Sequence, residues 1–373
     1  MVNIIGSFNH KGGTTVPLRG VAAITQSNHK LRVVFMGSDT LSCTFLTALI
    51  HAPDMDVLAV VTQPDRERGR RMQIVPGPVK DLALMHCKPV LSPVKVNDPE
   101  FLETLRRLAP DVIVVMAYGQ FLGKTLLALP PLGCVNLHVS ILPRHRGAAP
   151  IQYAILQGDR ETGVTAMMMD AGMDTGDILG VVRREIRPDD TTGTLSLELV
   201  KDGADLMLDV LRDLAAGRTV RIPQDCSCAT YAPKISKEQA LIEWAEPAAL
   251  IERKVRALNP KPCCHTFLPA GPAATCAATP GALLKVLRTA VEEPPPPQSD
   301  TPPPAPGTVL AMKRGPVIAA GDGLALRLLE VLPEGKPRVM SGQDFANGYS
   351  KRLAVGDRLF PGLGVGVGVC ASP

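Results

Sequence analysis

From Leu31 onward the chain repeats one pattern: a short apolar run, then a stretch with helical periodicity. The runs are LRVVFM (31–36), DVLAVVT (56–62), DVIVVMA (111–117) and CVNLH (134–138). Between them, apolar residues keep helical spacing through Phe45, Leu46 and Leu49, and again over 78–86, 99–108 and 121–128. Strands that are apolar on both faces belong to a parallel sheet covered by helices on each side. The pattern predicts an α/β fold with a Rossmann-like, mostly parallel sheet. Ligands of such sheets bind beyond the carboxyl ends of the strands, where the strand order reverses. The polar residues that end the last two runs are therefore the first place to look for chemistry.

Further along, GVTAMMMD (163–170) and DILGVVRREI (177–186) read as a strand pair joined by the turn 171–176, and 193–216 as a long helix. LLKVL (283–287), GTVLAM (307–312), PVIAA (316–320) and LALRLLEVL (324–332) are short runs divided by Gly and Pro, the texture of a small antiparallel barrel. EEPPPPQSDTPPPAP (292–306) cannot pair in a sheet, because proline has no amide proton to donate. A chain of 373 residues exceeds one ordinary domain. The expected organisation is a disordered extension over 1–30, a catalytic domain over 31–217, a linker over 218–236, an OB-like C-terminal domain over 237–360 and a flexible tail over 361–373.

Composition excludes several classes. No run of 18 apolar residues exists, so no membrane-spanning helix and no membrane partner are expected. The first thirty residues lack the apolar core of a secretory signal. Nine scattered cysteines read as free thiols in a reducing compartment, which points to the cytoplasm. Cys226-Ser227-Cys228 and Cys263-Cys264-His265 lack the spacing of a structural zinc site, so no metal is expected. The net charge of +4 neither demands nor forbids a nucleic-acid partner. The loop after the first run, Gly37-Ser38-Asp39, has no dinucleotide fingerprint, and no G-x-S-x-G elbow occurs.

The densest local signal is Asn136-Leu137-His138-Val139-Ser140-Ile141-Leu142-Pro143-Arg144-His145-Arg146-Gly147. On a strand, Asn136 and His138 project from one face. An amide and an imidazole so placed can converge on one oxygen, as acyl transfer requires. The turn from Asp170 to Asp177 carries three carboxylates. They read either as solvated turn formers or as a source of one carboxylate for His138. Each residue alone also fits a bland role: a satisfied core histidine, a strand-end asparagine, surface arginines.

Taken together, the segment LGCVNLHVSILPRHRGAAPIQYAILQGDRETGVTAMMMDAGMDTGDIL (132–179) resembles methionyl-tRNA formyltransferase. TQPDRERGRR and PGPVK (62–80), DVIVVMAYGQFL (111–122), TYAPKISKEQALIEW (230–244), RALNPKP (256–262) and 321–348 extend the resemblance from about Leu31 to Leu359. It implies formyl transfer from 10-formyltetrahydrofolate to the amino group of methionyl initiator tRNA, by a monomer without a metal. It implies Asn136, His138 and Asp174 as catalytic residues and Ser140, Ile141, Leu142 and Pro143 as the folate-contacting loop. It also implies Arg70, with Arg68 and Arg71 beside it, as tRNA contacts, and a C-terminal barrel on the tRNA backbone. The chain departs from the family in residues 1–30, in the loop 38–44, in Cys263 and Cys264, and in the Pro-rich insert. Two alternatives remain at this level: a formyltransferase for an amino sugar or purine precursor, and a non-catalytic tRNA- or folate-binding protein.

Overall fold

A computed structural model describes residues 30–68, 73–269, 281–295 and 302–360. The expectations for residues 1–29 and 361–373, and for Arg70 and Arg71, fall outside these residues.

Seven strands form the first sheet: β1 (Leu31–Gly37), β2 (Met55–Val61), β5 (Val90–Leu91), β6 (Val112–Met116), β7 (Cys134–His138), β8 (Glu161–Met168) and β9 (Ile178–Glu185). A separate ribbon pairs β3 (Arg66–Arg68) with β4 (Gln73–Val75). The sheet order is β5-β2-β1-β6-β7-β8-β9. The five strands from β5 to β7 are parallel, and β8 and β9 add antiparallel. The order reverses between β1 and β6, which opens the crevice where such sheets bind ligands.

The apolar runs are uninterrupted because both faces are covered. Val33 and Phe35 of β1 pack with Phe45, Leu46 and Leu49 of α1 (Thr40–His51) and with Leu199 and Met207 of a long helix, Thr192–Ala215. Val34 and Met36 point the other way, onto Leu102 and Leu105 of helix Pro99–Leu108. Each fully buried side chain of this kind stabilises the fold by about 1.5–3 kcal/mol. The first helix starts at Asp39, whose carboxylate accepts the Ser42 amide at 2.9 Å. The predicted helix over 121–128 is only Lys124–Leu127, because Gly123 precedes it in extended conformation with its amide given to Asn97. A helix at Pro150–Gln157 was not foreseen.

The second sheet has order β10-β11-β14-β13-β12, with β15 on β14. Its strands are β10 (Cys264–Phe267), β11 (Leu283–Glu292), β12 (Val309–Ala311), β13 (Val317–Ala319), β14 (Ala325–Pro333) and β15 (Met340–Ser341). Residues 356–360 close it. Phe267 and Phe360 exchange backbone hydrogen bonds of 3.1 Å, while Leu359 donates to Gly307 at 2.9 Å. One short segment thus bridges both edges, as a barrel requires. Trp244, Phe345 and Ile251 of helix Ala248–Ala257 fill the interior.

The segment between the two sheets does more than connect them. Ile222 pairs with Ile178, and Arg146 exchanges backbone hydrogen bonds with Thr230 and Ala232. It crosses the first sheet's loops before entering the barrel. Of the stretch 292–306, expected to stay out of any sheet, Glu292 instead ends β11 and pairs with Ala325, while 293–295 and 302–306 hold no strand. No helix among the described residues is long and apolar enough to cross a membrane.

Candidate active site

Strand β7 sorts its side chains by face. Val135 and Leu137 enter the core beneath α1. Cys134, Asn136 and His138 share the other face. Cys134 is a poor nucleophile there, since burial pushes its thiol up to about 12. The Asn136 side chain makes no hydrogen bond among the described residues and is only half-buried, so its amide remains available.

His138 is 6% exposed. Its Nε2 lies 2.8 Å from the carbonyl oxygen of His145. A carbonyl can only accept, so Nε2 carries the proton and donates. Nδ1 is left on the other side, 3.7 Å from Oδ2 of Asp174. That separation is beyond a direct hydrogen bond, and it sets the carboxylate against the second ring nitrogen.

Asp174 is held in an unusual backbone conformation, φ 54°. Ala117, at the end of β6, and His145 share this left-handed region, with φ 47° and 59°. L residues avoid it, so the surrounding structure must enforce it. For Asp174 the restraints are visible. Its Oδ2 accepts the Gly147 amide at 2.8 Å, and Gln224 Nε2 donates to its carbonyl at 2.9 Å and to that of Gly176 at 2.8 Å. Two glycines permit this closeness. A Cβ at Gly176 would lie 1.7 Å from the Met168 carbonyl oxygen, and one at Gly147 would lie 2.7 Å from that of Ala232. His145 is anchored by its Nε2, 2.6 Å from Asp159, which also accepts Arg144 at 2.6 Å.

The loop Ser140–Pro143 is built on Thr165. The Thr165 hydroxyl donates to the Ser140 carbonyl at 2.7 Å and accepts the Leu142 amide at 3.1 Å. Ser140 is fully buried and gives its hydroxyl to the Arg144 carbonyl at 2.7 Å. Ile141, Leu142 and Pro143 border a cavity of about 260 Å³. A second cavity, about 310 Å³, sits at the reversal between β1 and β6 and is lined by Ser38, Gln63, Asp65, Ala117 and Tyr118. It also touches Val75 and Gly77, beside the β3–β4 ribbon. Arg66 and Arg68 are the ends of β3. A further cavity, about 630 Å³, lies between the connecting segment and the barrel. Lys234, Lys237, Lys261 and Lys285 line it, and none has a carboxylate partner among the described residues.

Sequence reasoning named Asn136, His138 and Asp174. It missed Gln224, Thr165 and the His145–Asp159 pair. Gln224, His145 and Asp159 are single polar residues in loops with no periodicity to reveal them, and Thr165 sits inside strand β8 between the apolar Val164 and Ala166. No group of three or more His, Cys, Asp or Glu side chains arranged to hold a metal occurs among the described residues.

Known proteins resemble this arrangement. Residues 31–211 match the formyl transferase family, and residues 234–350 match the formyl transferase C-terminal domain. HypX from Aquifex aeolicus, solved with tetrahydrofolic acid, superposes with a TM-score of 0.55 at 17% identity, over 86% of this chain and 48% of that one. This chain thus spans about half of the HypX chain. WlaRD, a sugar 3N-formyl transferase, gives a TM-score of 0.54 at 14% identity, over 83% of this chain and all of that one (100%). At such identities the likeness concerns the fold alone. The sequence relatives are much nearer. The methionyl-tRNA formyltransferase of Geotalea daltonii is 43% identical over 88% of this chain and 98% of its own length. That of Symbiobacterium thermophilum is 44% identical over 89% and 96%. With that identity across nearly the whole of both relatives, the chain belongs to the methionyl-tRNA formyltransferase family.

Proposed function

We propose that Asn136, His138 and Asp174 carry the family's reaction in this chain, formyl transfer from 10-formyltetrahydrofolate to the amino group of methionyl initiator tRNA. The observation that supports it most is the approach of the Asp174 carboxylate to Nδ1 of a buried His138, 3.7 Å apart, on the strand face that also carries Asn136.

An α-amino group has a pKa near 8, so a fraction of it is the free nucleophile at neutral pH. Its lone pair attacks the formyl carbon, a C–N bond forms, and the carbonyl oxygen becomes an oxyanion. Asn136 Nδ2 donates to that oxygen. His138 donates to it from Nδ1 in the form that carries both ring protons, while Nε2 stays on the His145 carbonyl. Each such donor is worth about 10²–10³ in turnover. Asp174 takes the proton that the attacking nitrogen sheds. That proton passes to the folate nitrogen as its bond to the formyl carbon breaks. Nothing is covalently attached to the protein at any stage.

The folate rings pack on the Ile141–Pro143 loop. Ser140 shapes this loop rather than touching the ligand, because its hydroxyl is already used. The cavity between β1 and β6 takes the methionyl end of the acceptor. Arg68, Arg70 and Arg71 contact the tRNA acceptor end, and the four lysines of the 630 Å³ cavity track its phosphates. The test is a transfer assay with labelled formyl donor and charged initiator tRNA, run beside an amino-sugar acceptor. Label in methionyl-tRNA is the expected result, and label only in the sugar overturns the reading.

A further inference from the structure

Gln224 lies in the connecting segment, between the two stretches that match the family, 31–211 and 234–350. Its amide is saturated. Nε2 donates to the carbonyls of Asp174 and Gly176, at 2.9 and 2.8 Å, and Oε1 accepts from Arg146 Nη2 and Nε at 2.7 and 3.2 Å. Carbonyls only accept and a guanidinium only donates, so the surroundings fix which end of the amide faces which way. Arg146 is itself 2% exposed. Its neighbour Gly147 gives its amide to the Asp174 carboxylate at 2.8 Å. The stretch 146–147 therefore grips Asp174 twice: directly at the carboxylate, and through Gln224 at the backbone. Backbone hydrogen bonds from Arg146 to Thr230 at 2.8 Å and from Ala232 to Arg146 at 2.7 Å close the ring on the same connecting segment.

We propose that Gln224, anchored by Arg146, is a positioning residue for formyl transfer, clamping the 174–176 turn so that the Asp174 carboxylate stays beside His138. The proposal rests on the catalytic reading of Asp174 given above. A left-handed Asp174 has no other restraint on its carbonyl among the described residues. Without the clamp, the turn relaxes and the carboxylate leaves the imidazole.

Gln224→Glu is the sharpest test. It keeps size and a strong partner for Arg146, but sets a carboxylate oxygen against two carbonyls. Turnover should fall about 10–100-fold, the usual cost of a lost orienting partner, with little change in the KM for tRNA. Gln224→Met covers the case in which the new carboxylate unfolds the chain, and melting curves identify that case. In an Asp174→Asn background, Gln224→Glu should cost almost nothing more, since both act through one carboxylate. Wild-type turnover in folded Gln224 variants, alongside a crippled Asp174→Asn, would overturn the clamp and leave the catalytic reading standing. An equal loss in both backgrounds would also overturn it. A fully active Asp174→Asn would remove the catalytic reading, and the clamp with it.

Discussion

The two sheets bury polar groups in different ways. In and around the first sheet, Ser42, His138, Ser140, Arg146 and Thr165 are all buried, and each side chain is engaged in hydrogen bonds within the protein. In the barrel, Thr266 and Thr289 are the buried polar residues among those described, and the lysines lie in an open cavity without partners. Unpaired buried polar groups are costly, so a region that collects them in satisfied networks gains fixed geometry. A region that leaves cations in solvent gains long-range attraction with little geometric demand. On the proposed reading, the first sheet holds atoms at set distances and the barrel attracts a polyanion.

The contrast predicts separable failures. The largest effect belongs to the first sheet. His138→Ala and Asn136→Ala should each lower turnover about 10²–10³-fold or more, at nearly unchanged KM for tRNA, because each removes a group that acts chiefly in the transition state. Steady-state kinetics on folded variants decides this. A loss that appears wholly in KM would erase the division of labour between the two regions.

The barrel should behave in the opposite sense. Lys261→Glu and Lys285→Glu should raise the KM for tRNA about tenfold each at moderate salt, with turnover at saturating tRNA preserved. The slope of log affinity against log salt should become shallower by about 0.7–0.9 for each phosphate that the variant no longer neutralises. Unchanged slopes would show that the lysine-lined cavity is not a phosphate track.

The same contrast explains what could be read in advance. Strands β1, β2 and β6 were visible because continuous apolar runs have few other solutions. The 99–108 helix was visible because its apolar stripe and Asp98-Pro99 start agree. His138 and Asp174 lie far apart in the chain, and only the ordered motifs around them join the two. Gln224 carries no pattern at all; its role exists only once the connecting segment folds across the 174–176 turn. In the barrel, Ala248–Ala257 has apolar residues at Ala248, Ile251 and Val255, a helical spacing that was there to be read. Strand Cys264–Phe267 is four residues long, the shortest run over which alternation can be read.

The smallest expected effect concerns His265, which lines the lysine cavity and is half-buried on β10. Burial holds its pKa below the ordinary 6.5; Lys285 and Lys254 also repel its proton, while a backbone hydrogen bond at Cys263 acts the other way. The unfolded chain therefore takes up this proton at higher pH than the folded barrel does. Stability from this residue is complete above 6.5 and is lost as pH falls through the folded-state value. The barrel should melt at slightly lower temperature at pH 5 than at pH 7, and His265→Gln should flatten that dependence. A phosphate in the cavity reverses the local field and favours the protonated ring. Bound tRNA should then recover part of the loss, and its affinity should rise modestly as the solution is acidified. Superimposable melting curves for the wild type and His265→Gln, with and without tRNA, would mean that His265 is silent. The barrel's attraction for a polyanion would then be a matter of lysine charge alone.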